Sequence, residues 1–318
     1  MHSIEICAGA GGQALGLEQA GFEHLDLVEY EPAACATLRC NRPAWRVIEG
    51  DVRKYSAAHL AGIELVAGGV PCPPFSHAGK QLGADDERDL FPEALRLVEE
   101  CRPLALMLEN VRGLLDPRFE AYRQGILNRL KALGYEAEWR LLQASDFGVP
   151  QLRPRSILVA LRKPIAEHFS WPTPQLVEAP TVGECLHDLM AANGWEGAAH
   201  WRDRANAIAP TLVGGSKKHG GPDLGPTRAR KAWAGLGVDG RGLADHSPLP
   251  GFEGDPRLTV RMAARIQGFP DSWELSGKKT AAYRQVGNAF PPPVAKAVGK
   301  QIVAAFESAA NAKVKKRA

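Results

Sequence analysis

Two short stretches hold side chains able to make and break covalent bonds. Cys72 lies in Gly68-Gly69-Val70-Pro71-Cys72-Pro73-Pro74-Phe75-Ser76. Pro71 and Pro73 fix φ at their own positions and push their neighbours towards extended geometry, so the thiol stands on a stiffened loop. An isolated cysteine is usually a small buried hydrophobe; one clamped between prolines directly after an apolar strand is poised to react. The second stretch, Glu109-Asn110-Val111, closes another apolar run. A thiolate is suited to conjugate addition: it attacks carbon 6 of a pyrimidine and departs later. That attack needs a polarised ring, and a carboxyl group at ring nitrogen 3 supplies the proton or hydrogen bond. Burial at the strand end is expected to raise the pKa of Glu109 and keep it a donor. The resulting enamine makes carbon 5 nucleophilic towards a sulfonium methyl group.

A third constellation concerns binding. Cys7-Ala8-Gly9-Ala10-Gly11-Gly12 follows a first strand, where glycines let backbone approach a ligand closely. Glu29 ends a second strand about 20 residues after that turn, as suits a ribose diol, and Asp51 ends a third. The phosphate-binding pattern GxxxxGK[ST] is absent. An adenosine cofactor without phosphates, S-adenosylmethionine rather than NAD or ATP, suits this set.

The elements that must position these groups alternate. Strands are expected at 3–7, 24–28, 45–49, 63–67, 104–108, 135–143 and 156–161, and helices at 14–20, 33–38, 91–100 and 118–133. Apolar strands alternating with helices predict an α/β, doubly wound, mainly parallel sheet, whose carboxyl edge would carry every group named so far. After Ser170 the texture changes. Residues 171–256 are rich in Gly, Pro and Trp, with a short helix expected near Val182–Ala192. Helical order returns at Thr259–Gln267, and a closing helix is expected from Pro293 to Ala305.

Composition bounds the setting. The 318 residues carry a formal charge of only +3, but between His200 and Arg241 eight Lys/Arg face three Asp. The six cysteines show neither a CxxC pair nor zinc-like spacing, so no metal is expected. With no signal peptide and no apolar run of membrane-spanning length, a reducing cytoplasmic location is expected.

Eight motifs, in order, resemble those of the cytosine-C5 DNA methyltransferase family of bacterial type: EICAGAGGQALG, VEYE, GDV, GGVPCPPFS, ENV, QLRPR, RLTVRMAARIQGFPDSW and RQVGNAFPPPVAKAVG. The resemblance implies a Rossmann-like, S-adenosylmethionine-dependent fold with a smaller irregular target-recognition domain. It implies that Cys72 is the nucleophile and Glu109 the acid, that Arg155 bonds the base carbonyl oxygen, that Arg153 supports the loop and a nearby phosphate, and that Asn110 holds the Cys72 loop. Glu29 would bind the ribose, Tyr30 stack on the adenine, and Asp51 with Val52 hold the adenine edge. Gly69, Pro71, Leu90, Asn288 and Ala289 would complete the cofactor pocket, and Arg261 would order the 171–256 module. The base would rotate out of the duplex, as access to carbon 6 requires, and the loop from Pro71 to about Leu90 would close over it, with Ser76, Lys80, Gln81 and Arg88 facing DNA. Two departures stand out: Cys7 replaces a frequent aromatic residue, and Met262 a frequent Glu.

Three domains are expected: 1–170 for catalysis and cofactor, 171–275 for target recognition and hinge, and 276–318 returning to the catalytic domain. Within the module, Thr211, Lys217 and Lys218 are expected near the grooves, and Arg228 and Arg230 offer guanidinium forks of the kind that read guanine. A monomer acting on double-stranded DNA is expected. The alternatives are a tRNA cytosine methyltransferase of the same family and a catalytically silent DNA-binding scaffold.

Overall fold

The computed structural model describes residues 1–71, 89–176, 178–214 and 222–315. In chain order its elements are β1 (His2–Ile6), α1 (Gly12–Ala20), β2 (Glu23–Glu29), α2 (Pro32–Asn41), β3 (Val47–Glu49), β4 (Leu65–Gly68), α3 (Phe91–Cys101), β5 (Ala105–Val111), α4 (Glu120–Ala132) and β6 (Tyr135–Gln143). There follow β7 (Gln151–Leu152), β8 (Pro154–Arg162), α5 (Lys163–Ala166), α6 (Val182–Ala191), α7 (Ala198–Arg204), β9 (Ala209–Pro210), α8 (Thr227–Gly235), α9 (Val260–Ile266), α10 (Lys279–Asn288) and α11 (Pro292–Lys315). Packing divides them into two compact units, one of Met1–Leu142, Pro154–Thr173 and Val294–Ala318, the other of Gln143–Arg153 and Pro174–Pro293. This is a division by packing, whereas the assignment of 171–275 to target recognition is a functional one.

The first unit is built on a seven-stranded sheet of order β3-β2-β1-β4-β5-β8-β6. The pairs from β3 to β5 are parallel, and β8 returns antiparallel to β5. Residues 65–68 and 105–110 are buried throughout, as unbroken apolar strands covered on both faces must be. The chain runs from β1 outwards through β2 and β3, then returns to lay β4 on the other side of β1. Strand order therefore reverses between β1 and β4, and open α/β sheets bind ligands at the carboxyl ends flanking such a switch point.

Local chemistry sets the helix ends around that edge. Gly21, at φ 104°, ends α1 in the left-handed conformation that L side chains avoid. Before α3, the buried Asp89 carboxylate accepts the Phe91 N–H at 3.0 Å and the Tyr122 hydroxyl at 2.6 Å. Phe91 is in turn packed edge-on to Tyr122 inside the core.

Three expectations shift. β5 runs through Glu109 to Val111 rather than ending at Leu108, because β8 pairs with it as far as Val111↔Arg155. A 3-10 turn at Pro117–Phe119 precedes α4, and α11 continues past Ala305. The second unit is more helical than its texture suggests. Helices α7 and α8 escape a periodicity reading because they are 7 and 9 residues long, and among its residues α8 buries only Trp233. Helix α10 lies outside the elements expected from the sequence.

The switch point admits no side chain on β4's last residue. A Cβ on Gly68 would lie 2.7 Å from both Ile6 Cγ1 and Ile6 O. Gly68→Ala should therefore destabilise the protein by about 1–3 kcal/mol, the usual cost of overpacking a core, read from urea unfolding. An unchanged midpoint would mean that β1 and β4 do not meet so closely.

Candidate active site

The turn after β1 is tightly wound. Cys7, Gly9 and Gly11 all have left-handed φ, at 53°, 55° and 80°. Only Cys7 among them carries a side chain, a strain that a surrounding structure must hold in place. The holding group is Glu29. Its Oε2 accepts the Gly9 N–H at 2.7 Å, and its Oε1 accepts the N–H groups of Tyr30 and Glu31 at 2.9 and 2.8 Å. The Ala8 N–H donates to Val28 O at 3.2 Å, so the turn is stitched to the β2 end. Ala10 is buried, and Gly12 opens α1. Burial above all, then the carboxylates of Glu29, Glu5 and Asp51, pushes the Cys7 thiol far above its usual range.

The fit of an adenosine cofactor follows from this donor set. Carboxylates of this kind offer about four acceptor sites, so Glu29 retains capacity for a hydroxyl after holding three N–H groups. The Tyr30 ring next to it is 62% exposed. Asp51 accepts the Arg53 N–H at 3.0 Å and pairs with its guanidinium at 2.6 Å. The hydrogen bond from that side chain holds the Asp51 carboxyl below its usual range, and Val52 begins the following turn. A Cβ added at Gly9 would meet nothing nearer than the Cys7 carbonyl at 4.0 Å. Glycine thus leaves open space over the turn, and nothing here resembles a triphosphate cradle.

The reactive half lies on the same sheet edge. Glu109 pairs across the strands with Ile157, and Val111 with Arg155. Glu109 and Arg155 are thus diagonal neighbours on one face. Arg155 Nε lies 2.7 Å from Glu109 Oε1, with both side chains almost wholly buried. Burial lowers the Arg155 pKa, and the Glu109 carboxylate opposes that shift. The surroundings expected to keep Glu109 a neutral donor in an apolar setting contain an ion pair instead. Its other oxygen faces β4: a Cβ on Gly69 would lie 3.4 Å from Glu109 Oε2. Asn110 Nδ2 donates to Val70 O at 2.8 Å, and the Leu90 N–H to Pro71 O at 3.3 Å. Cys72, Ser76, Lys80, Gln81 and Arg88 lie outside the described residues.

The other expected residues belong to the second unit. Arg153, expected beside a phosphate, is fully buried. Its Nη1 donates to Leu212 O at 2.7 Å, and its Nη2 to Gly287 O at 2.7 Å and Ala289 O at 3.1 Å. Nη1 also reaches Gln151 Oε1 at 3.4 Å, so the guanidinium ties three backbone segments together. Asn288 ends α10, and Ala289 caps it. Thr211 Oγ1 donates to Leu152 O at 2.5 Å. Lys217 and Lys218 lie outside the described residues.

Arg228 and Arg230 are on α8, and residues two apart on a helix do not share a face. Arg228 is exposed, whereas the Arg230 stem packs against Gly240 and lines, with Lys231 and Arg241, a cavity of about 780 Å³. Arg261, expected to order the module, donates to Asp271 O at 2.6 Å. The residue that ties α9 to α6 is Arg265, which bonds Cys185 O at 3.0 Å and pairs with Asp188 as well as Asp271. At Met262 the sulfur accepts the Thr259 N–H at 3.4 Å, while Thr259 Oγ1 caps the helix at the Met262 N–H.

Sequence reasoning missed Gln151 and Gln267, both fully buried. Gln151 Nε2 donates to Gln267 Oε1 at 2.7 Å, Gln151 Oε1 accepts the Leu212 N–H at 2.8 Å, and Gln267 Nε2 donates to Ala289 O. The available signal was a glutamine inside each of the quoted motifs QLRPR and RIQGFP.

The C-5 cytosine-specific DNA methylase family model matches residues 1–304. The Type II methyltransferase M.NaeI of Lentzea aerocolonigenes is 63% identical over 313 residues, covering 96% of this chain and 75% of that protein. M.NgoMIV of Neisseria gonorrhoeae, also a Type II methyltransferase, is 58% identical over 308 residues, covering 96% and 98%. Among solved structures, a DNA modification methyltransferase encoded within an E. coli prophage superposes with a TM-score of 0.68 at 23% identity, covering 96% of this chain and 99% of that one. DNMT2 of Spodoptera frugiperda superposes at 0.65 with 16% identity, covering 96% and 100%, a likeness of fold. The chain belongs to the family of C-5 cytosine-specific DNA methylases: it is a DNA cytosine-5 methyltransferase whose methyl donor is S-adenosyl-L-methionine.

Proposed function

We propose that this enzyme methylates a cytosine rotated out of a specific double-stranded DNA sequence, through a covalent Cys72 adduct, as the modification half of a restriction–modification pair. The observation that carries the reading is the approach of Glu109 to Gly69. The segment leading to Cys72 leaves β4 against the carboxylate of Glu109 with no side chain between them. Asn110 grips the same segment at Val70.

When bound, S-adenosylmethionine supplies an electrophilic methyl group. Glu29, Tyr30 and Asp51 would hold its adenosine over the Gly9–Gly11 turn, with Val52, Gly69, Pro71 and Leu90 around it; the resemblance adds Asn288 and Ala289. The Cys72 thiolate adds to carbon 6, and the displaced electron pair moves towards ring nitrogen 3, where Glu109, ionised beside Arg155 in the free enzyme, donates a proton that it takes up on base binding. Carbon 5 takes up the methyl group as its bond to the sulfonium sulfur breaks, leaving a neutral thioether. Loss of the carbon 5 proton to solvent then expels the thiolate, and the proton at ring nitrogen 3 returns to Glu109 as the ring is restored. Arg155 keeps the buried Glu109 charge compensated and directs a guanidinium to the base carbonyl. The basic excess between His200 and Arg241 supports a role for 171–275 in DNA recognition. Action on tRNA, or a silent binding scaffold, would be the outcome if the following tests failed on DNA.

A duplex containing 5-fluorocytosine blocks the final elimination. Wild type should be trapped on it covalently in the presence of cofactor, and Cys72→Ala should not. Cofactor affinity of that variant should stay within about threefold, or ~0.7 kcal/mol. An adduct formed by Cys72→Ala would remove Cys72 as the nucleophile.

Glu109→Gln should slow single-turnover methylation by about 10²–10⁴-fold while leaving DNA affinity much less affected. A rate within about tenfold of wild type, roughly 1.4 kcal/mol, would leave Glu109 only a structural part.

Tyr30→Ala should weaken S-adenosylmethionine binding about tenfold through lost stacking, measured calorimetrically without DNA. Unchanged affinity would move the adenine elsewhere and take the role of Glu29 with it.

A further inference from the structure

We infer that Gln151 is a positioning residue for target discrimination, fixing the 209–214 stretch to the end of α10. This deepens the reading of the module as the recognition element and rests on it. Leu212 is held at both of its backbone groups by side chains: its N–H donates to Gln151 Oε1 at 2.8 Å, and its carbonyl accepts from Arg153 Nη1 at 2.7 Å. Two side chains thereby act as a strand partner, extending the two-residue β7·β9 pairing of Gln151↔Ala209 and Leu152↔Pro210. Thr211 Oγ1 adds a bond to Leu152 O.

The amide orientations are fixed rather than chosen. An N–H from Leu212 requires an oxygen on Gln151, so its nitrogen must donate to Gln267 Oε1 at 2.7 Å and to Ile266 O at 3.3 Å. Gln267 must then donate to Ala289 O, which also accepts from Arg153. Reversing one amide would set donor against donor along the chain of bonds.

Sterics carry the same link one step further. A Cβ on Gly287 would lie 2.5 Å from Gly214 Cα, and one on Gly214 would lie 2.0 Å from Asn288 Oδ1. The stretch that enters the recognition segment thus lies backbone to backbone on the end of α10. A buried polar core and a glycine contact set its place, and Gln151 is the member that touches Leu212 and Gln267 together.

The test uses the full-length enzyme, with methylation rates measured on the cognate duplex and on duplexes with one base pair changed. Gln151→Met strands the Leu212 N–H and Gln267 Oε1. Discrimination should fall roughly tenfold or more, with a raised KM for DNA, as loss of a buried hydrogen-bonded contact implies. Affinity for S-adenosylmethionine without DNA should change less than the discrimination ratio. Gln151→Glu keeps the acceptor for Leu212 but sets a carboxylate oxygen against Gln267 Oε1 and Ile266 O, so it should lower the discrimination as well. If Gln151→Met does not fold, Gly214→Ala decides by the same ratio, since its methyl group pushes the two segments apart while removing none of the polar side chains. A uniform fall in kcat with the ratio unchanged would overturn the inference. Loss of preference in the wild type itself would instead overturn the recognition reading.

Discussion

The site depends on one buried ion pair. A carboxylate held at the end of an apolar strand is expensive to bury unless a cation and hydrogen bonds compensate it. Here the compensation for Glu109 comes from Arg155, 2.7 Å away on β8. That pairing requires β8 to run back along β5 in one register, because a slip by one residue would turn Arg155 to the opposite face. The long excursion through α4, β6 and β7 makes the antiparallel return possible. The parallel strands, in turn, bring the carboxyl ends of β1 and β4 to the same edge, with glycines where backbone must pass close to side chains.

The second unit solves a related problem with different groups. Arg153 is a buried charge whose two terminal nitrogens donate to carbonyls of Leu212, Gly287 and Ala289, and Nη1 also to Gln151 Oε1. Gln151 and Gln267 complete the pattern with neutral donors and acceptors. Polar cores of this kind have value only when nearly every member is paired. Their geometry is accordingly exacting, and the segments they join are far apart in the chain. The 209–214 stretch, too short to be secured by regular structure, is held in this way.

Much of the first unit was legible because its signals are local. Apolar strands ending at a Gly turn, at Glu29, at Asp51 and at Glu109 identify a sheet edge, and the eight ordered motifs identify the chemistry. What escaped was non-local. No feature near Gln151 in the chain reveals that its partner is Gln267, and nothing near Arg153 reveals that its donors are committed to carbonyls from two distant segments. Arg261 and Arg265 are four residues apart on one short helix, and only packing decides that Arg265 reaches α6. That Arg228 and Arg230 stand on a helix was hidden, because α8 is short and Trp233 is the residue it buries. The ion pair at Glu109 was also hidden, since periodicity reports burial but not which charge crosses from the neighbouring strand.

The central claim is the proposed one, that the enzyme methylates carbon 5 of cytosine within one DNA sequence. Bisulfite sequencing of plasmid DNA from cells expressing the enzyme tests it most directly, because only cytosines methylated at carbon 5 resist conversion. The account predicts protected cytosines at a single recurrent sequence on the plasmid. Complete conversion, or protection scattered without a common sequence, would contradict it.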